Sequence, residues 1–134
     1  MKKLITITFI FSVFIGIAQQ EEMSTINVEI SNISNDKGML MVGLYNNKGT
    51  WLNKLFSGKT SETKNGKATA TFVHIPKGTY AISVYPDENE DGKLNMFLGM
   101  VPTEDTGASN NAPGKWEDAK FEVKEKTINQ FIKL

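Results

Sequence analysis

Apolar and polar residues alternate in short runs along most of this chain, and a period of two marks strands with one buried face. From Thr25 to Ile33, Ile26, Val28 and Ile30 fall on one face and Asn27 and Glu29 on the other. Asn35-Asp36-Lys37-Gly38 then supplies residues that tolerate positive φ. Met39 to Tyr45 alternates Leu40, Val42 and Leu44 against Met41, Gly43 and Tyr45, and Asn46-Asn47-Lys48-Gly49 closes the run. Residues 50–66 are less regular. Their Trp51, Leu52, Leu55 and Phe56 fit a short helical turn or a loop plugging one end of a sandwich. Asn65-Gly66 is a strong turn signal.

Two further runs, Lys67 to Ile75 and Thr79 to Tyr85, flank the break at Pro76-Lys77-Gly78. The first sets Ala68, Ala70 and Phe72 against Thr69, Thr71 and Val73, and the second puts Tyr80, Ile82 and Val84 on one face. A long segment from Pro86 to Trp116 is dense in Asp, Asn and Gly. Ala119, Phe121 and Val123 alternate again. Ile128, Gln130, Ile132 and Leu134 share one face of the last run, with Phe131 on the other. About seven short strands, without a helix of ordinary length, predict an all-β fold: a two-sheet antiparallel sandwich over residues 25–134, with Ile82 and Val84 pointing inward on a central strand.

The first segment differs in kind. Lys2 and Lys3 precede an apolar run from Leu4 to Ala18, and Gly16 and Ala18 stand at the −3 and −1 places of a cut before Gln19. This is the three-part pattern of a secretory signal peptide. The run is shorter than the roughly 20 residues of a spanning helix, so residues 1–18 are expected to be removed and 19–24 to form a short tail. No Cys follows the cut to carry a lipid anchor, and localisation is expected to be extracytoplasmic, periplasmic or secreted. The mature part keeps 13 Lys against 15 Asp and Glu, a net charge of −2, and contains no Arg. That balance argues against nucleic acid, which usually meets a basic, Arg-bearing face. With zero Cys, the domain is expected to rest on its core alone.

Candidate chemistry is sparse. His74 is the single histidine and lies inside a strand run; no Ser sits in an elbow motif, and a zinc-type ligand set is lacking. The exception is Asp87-Glu88-Asn89-Glu90-Asp91-Gly92-Lys93-Leu94-Asn95. Asp87, Asn89 and Asp91 take positions one, three and five of the D-x-[DN]-x-[DN]-G calcium loop, and Gly92 takes the sharp turn at six. Lys93 stands at position seven and Asn95 at nine. Leu98 replaces the usual bidentate Glu at twelve, so Glu104 or Asp105 would have to supply that carboxylate. The other reading is a solvated acidic turn. A second polar stretch, Thr106 to Gly114, reads as ordinary loop residues or as a binding rim. Trp51 and Trp116 fit stacking on a sugar or covering the open ends of the sandwich.

The chain resembles the bacterial family called domain of unknown function 2141. The residues that carry the resemblance are Pro76-x-Gly78-x-Tyr80-Ala81, then Val84-x-x-Asp87-x-Asn89-x-x-Gly92-Lys93-Leu94-Asn95, then Gly99, Pro102, Glu104, Gly107, Ser109-Asn110-Asn111-Ala112 and Asp118-Ala119-x-Phe121. It departs from the family pattern at Asn95, where many members carry Asp, and in a longer stretch at Gly99 to Pro102. The resemblance implies an exported sandwich of the transthyretin-like or carboxypeptidase-regulatory-like sort, and supplies no activity.

The expected function is that of an exported, non-catalytic module whose 87–95 and 104–111 loops form its functional end, with calcium structural and a glycan, peptide or envelope protein as ligand. A structural accessory subunit of a surface assembly is the alternative, which exposed apolar residues on an edge strand would favour. A carbohydrate-active enzyme using Glu88 and Glu104 ranks below both, because glycoside hydrolysis needs two carboxyls at a defined separation.

Overall fold

The computed structural model describes residue 16 and residues 21–34, 38–87, 106–112 and 114–134, and of Asp87 the backbone alone. Two sheets pack face to face. In one, β1 (Ser24–Ser31) lies between β4 (Ala68–Ile75) and β8 (Thr127–Lys133). In the other the order is β3 (Ser57–Glu62), β2 (Met39–Tyr45), β5 (Gly78–Asp87) and β6 (Gly107–Ala108), and β7 (Phe121–Val123) pairs with the first residues of β5. One helical turn, α1 (Trp116–Ala119), precedes β7.

The alternating runs become strands because every second side chain can be withdrawn from water. Ile26, Val28 and Ile30 of β1 meet Leu40, Val42 and Leu44 of β2, with Phe72, Ile82, Val84 and Ile132 closing the core; each is at most 1% exposed. Full burial of such a side chain is worth about 1.5–3 kcal/mol. The sandwich is antiparallel except at one place: β1 and β8 run parallel and in register, from Thr25↔Thr127 to Ser31↔Lys133. Parallel neighbours need a long connection, and here the whole domain lies between the first strand and the last.

Two strands escape the alternation rule. β3, Ser-Gly-Lys-Thr-Ser-Glu, has no large apolar residue, yet pairs with β2 from Met39↔Glu62 to Leu44↔Ser57. It is an edge strand held by backbone hydrogen bonds, and its polar side chains suit an edge. β6 is two residues long and buried. The Asn65-Gly66 turn has positive φ at both residues (53° and 73°), and Lys64 and Lys67 exchange backbone hydrogen bonds of 2.9 and 3.1 Å across it. This type I′ geometry carries the chain from β3 in one sheet to β4 in the other.

His74 sits at a bulge. Ser24 pairs with Ile75 but Ile26 with Phe72, so β4 spends one extra residue there. His74 takes φ 56°, Val73 and His74 both face solvent, and Ile75 returns to the core.

The five-stranded sheet is buried on its second face too. Met41 and Tyr45 of β2 and Ala81, Ser83 and Tyr85 of β5 point away from the main core, yet all are at most 8% exposed. The segment after β2 does part of this covering. It makes a 3-10 turn at Lys48–Thr50, and Trp51 and Leu52 pack on Tyr45, Ala81, Ala108, Trp116 and Ala119. Leu55 lies over β2 so closely that a Cβ on Gly43 would come within 2.5 Å of its Cδ2. Trp51, Leu52 and Leu55 thus cover the back of the sheet, while Phe56 lies against Tyr80 of the main core, 5.7 Å between ring centroids.

Ile82 is fully buried on β5, between β2 and the β6–β7 edge, as the pattern predicts. Truncating it to Ala should cost about 2–5 kcal/mol, the range for deleting a buried aliphatic side chain. Urea unfolding of Ile82→Ala measures this, and a loss under about 1 kcal/mol would contradict the packing described.

Candidate functional site

Of the six candidate calcium ligands, only the backbone of Asp87 is described: it ends β5, paired with Met39. Asn89, Asp91, Lys93, Asn95 and Glu104 lie outside the described residues, as do Glu88 and Asp105. Among the described residues no group of three or more His, Asp or Glu is placed to hold a metal ion. What the fold does fix is the two ends of this connection. It leaves from Asp87 and re-enters at β6, where Gly107 pairs with Val84 three residues before Asp87. The re-entry is tight: a Cβ on Gly107 would lie 2.8 Å from Ile132 Cγ2 and would also strike Leu134.

The two tryptophans belong to the layer behind the five-stranded sheet. Trp51 meets Tyr45 edge-on at 4.9 Å between ring centroids, and Trp116 edge-on at 6.0 Å. Its indole N–H donates to the Gly114 carbonyl at 3.2 Å. Edge-to-face pairs of this kind add stabilisation beyond area, so both rings are engaged in covering the sheet. Burial first, and the neighbouring Tyr85 second, push the Tyr45 hydroxyl up to about 12, so the fold keeps it neutral. On the rim, Glu117 of α1 meets Lys120 at 2.8 Å and Lys48 at 3.2 Å. Hydrogen bonds from these two ammonium groups hold the Glu117 carboxyl below the usual range. Such exposed pairs contribute little to stability.

The outer face of the three-stranded sheet is open. Across it, Thr71 Oγ1 donates to Asn27 Oδ1 at 3.2 Å, and Asn27 Nδ2 donates to Asn129 Oδ1 at 3.2 Å. The next row along the strands is Thr69, Glu29 and Phe131, set side by side by the pairing Glu29↔Thr69 and Glu29↔Phe131. Phe131 is 64% exposed. A shallow depression of about 270 Å³ runs over these residues.

The polar stretch after the connection has a different role. β7 pairs with β5 at Gly78 to Tyr80, and β6 pairs with it at Ser83 and Val84. Between them Ile82 faces no strand on that edge, and its N–H donates to Ser109 Oγ at 2.9 Å. The same hydroxyl donates to the Ala119 carbonyl at 2.5 Å. Ser109 is fully buried. Asn110 lies in the left-handed region (φ 58°) and turns its amide nitrogen to the carbonyls of Asp118, Ala119 and Lys120 at 3.2, 3.3 and 2.9 Å. Asn111, also left-handed at φ 52°, accepts the Lys133 N–H at 2.9 Å. Asn visits this conformation more readily than most residues. Three consecutive side chains therefore clamp β5, α1 and β8 together.

The family model described as an uncharacterized protein conserved in bacteria, domain of unknown function 2141, matches residues 28–130. The chain belongs to this family. Neither the curated proteins nor the solved structures hold a match to it. In this 2141-family member, several of the residues carrying the resemblance after the connection hold the fold together. Gly107 admits β8, Ser109 to Asn111 form the clamp, and Ala119 supplies one of its acceptors. Tyr80 likewise donates its hydroxyl to the Pro76 carbonyl at 2.7 Å, locking the entry to β5. The sequence offered Ser109 to Asn111 as a loop or rim. Their partners lie up to 27 residues away, so no local pattern exposes them.

Ser109→Ala should destabilise this family member by about 1–3 kcal/mol, because it leaves the Ile82 N–H and the Ala119 carbonyl buried without their partner. Urea unfolding should show a lower midpoint at unchanged slope. A loss below about 0.5 kcal/mol would mean that the hydroxyl is not the group that closes this edge.

Proposed function

We propose that the mature chain works outside the cytoplasm as a non-catalytic binding module, stabilised by a weakly held calcium ion in the 87–95 segment. One observation supports this reading above others. The D-x-N-x-D-G segment begins on the last residue of β5, Asp87, in a connection that re-enters the fold at Gly107 of β6. Binding loops are commonly carried this way, on a rigid scaffold that positions them. In the proposed site Asp87, Asn89 and Asp91 donate side-chain oxygens, Lys93 and Asn95 complete the near half, and Glu104 stands in for the missing twelfth-position carboxylate.

The alternative, an accessory subunit of an envelope or surface assembly, draws on Phe131, an exposed ring on the edge strand β8. Glycoside hydrolysis by Glu88 and Glu104, both outside the described residues, ranks third. No helix among the described residues is long and apolar enough to cross a membrane.

Extracellular calcium modules bind at about 10⁻⁴–10⁻³ M. With a dissociation constant of about 0.2 mM and free calcium at about 2 mM, mass action gives roughly 1.4 kcal/mol of stabilisation. For a domain of this size that is a rise of about 4–8 °C in melting temperature. The rise should disappear in Asp91→Ala and be much smaller with magnesium, which demands tighter octahedral geometry. Identical melting curves in calcium and in chelator would end the calcium reading. For export, protein recovered from its host should begin at Gln19 by mass spectrometry, and an intact residue 1–18 segment would refute processing.

A further inference from the structure

None of the described residues covers the outer face of the β4-β1-β8 sheet, which takes no part in either core cluster. On β1 the alternation that buries Val28 and Ile30 turns Asn27 and Glu29 outward. The register with β4 and β8 then aligns two rows of different chemistry. In the first, Thr71, Asn27 and Asn129 are linked by the two 3.2 Å hydrogen bonds. Those bonds fix the plane of both amides and consume one Asn27 N–H. The second Asn27 N–H and the Asn129 amide hydrogens remain as donors for a ligand. In the second row the Glu29 carboxylate, an acceptor only, sits beside the exposed ring of Phe131. The depression between the rows, about 270 Å³, is at the lower end for small-ligand sites.

We propose that this face binds a neutral glycan. The inference rests on the binding-module reading and adds the class of ligand. A wholly apolar ligand would strip water from two amides and a carboxylate without replacing the hydrogen bonds, at a cost of several kcal/mol. An anionic ligand would meet Glu29, the one charged side chain among the described residues that line the depression. A polyol ring answers both rows. Its hydroxyls donate to Glu29 and exchange hydrogen bonds with Asn27 and Asn129, while its C–H face lies on Phe131. Asn27 and Asn129 are already held by their hydrogen bonds, so little ordering of the amide row is needed on binding.

The protein, purified as its host processes it, is run through native gels containing laminarin, xylan, mannan or dextran. At least one of these neutral polysaccharides should retard it. Phe131→Ala and Asn27→Ala should each weaken the retardation at least tenfold, and Phe131→Ala should leave the melting temperature within about 2 °C, because its ring faces solvent. Undiminished retardation in both variants overturns this site and leaves the binding-module reading standing. Retardation by none of the four overturns the glycan inference, and the calcium melting result is then unaffected. Retardation lost in Asp91→Ala but kept in Phe131→Ala would move the site to the 87–95 segment. If Phe131→Ala instead dissociates an oligomer and no polysaccharide is bound, the face is an assembly surface and the proposal fails.

Discussion

The rest of this structure depends on how the outer edge of β5 is satisfied. β5 is buried on both faces, so an unpaired backbone group there would cost about 1–3 kcal/mol. Its edge is nonetheless covered by two separate short strands, β7 at Gly78 to Tyr80 and β6 at Ser83 to Val84. The chain leaves that edge at Ser109 and returns after α1. The Ser109 hydroxyl bridges the break, taking the Ile82 N–H on one side and giving its own proton to Ala119 on the other. A hydroxyl is well suited to this place because it can accept and donate at once, as a backbone unit would. Asn110 and Asn111 extend the same solution outward, to the end of α1 and to β8. With the break closed, β6 becomes a firm landing point for the long connection from Asp87.

Burial of the second face of the sheet follows the same logic. Two-layer sandwiches usually leave their outer faces wet, and the three-stranded sheet does so. Behind β2 and β5, Tyr45, Trp51, Trp116 and the alanines at 81, 108 and 119 form a smaller core. The alanines let Trp116 lie close to the sheet, and Trp51 is held by its bond to Gly114. The sandwich therefore has one face built for packing and one left for solvent.

This asymmetry explains what could be read from sequence. Ile26, Val28, Ile30, Leu40, Val42, Leu44, Ile82 and Val84 alternate because one side of each strand is in the main core, and their inward placement follows from pattern alone. Asn65-Gly66 announces its turn through conformational preference. β3 could not be seen, because an edge strand paired through its backbone needs no apolar side chain. The buried second face was hidden for the opposite reason: Met41, Tyr45 and Tyr85 occupy the positions that alternation assigns to solvent. Phe131 was visible as the odd residue on the last strand. The row it joins was not, since Glu29 and Thr69 become its neighbours only through register across three strands.

The two candidate surfaces differ in what holds them. The connection that contains residues 87–95 leaves the fold at Asp87 and re-enters it at Gly107, and the proposed cation would add several oxygen contacts to it. The amide row needs no such ion, because β1 is held between β4 and β8 and its outward side chains inherit that rigidity. The row lies on one sheet, the connection starts from the other, and the main core separates them. Sites without shared partners usually behave additively. If the connection holds the proposed ion, its removal should then lower the stability of the domain without altering the shape of the Asn27 and Phe131 face. Coupling between the two would require a change carried through the core itself, and close-packed interiors such as the one formed by Ile26, Phe72, Ile82 and Ile132 resist small graded shifts. If both proposals hold, a domain arranged this way would tune its stability through an ion at one end and keep a separate face constant for recognition.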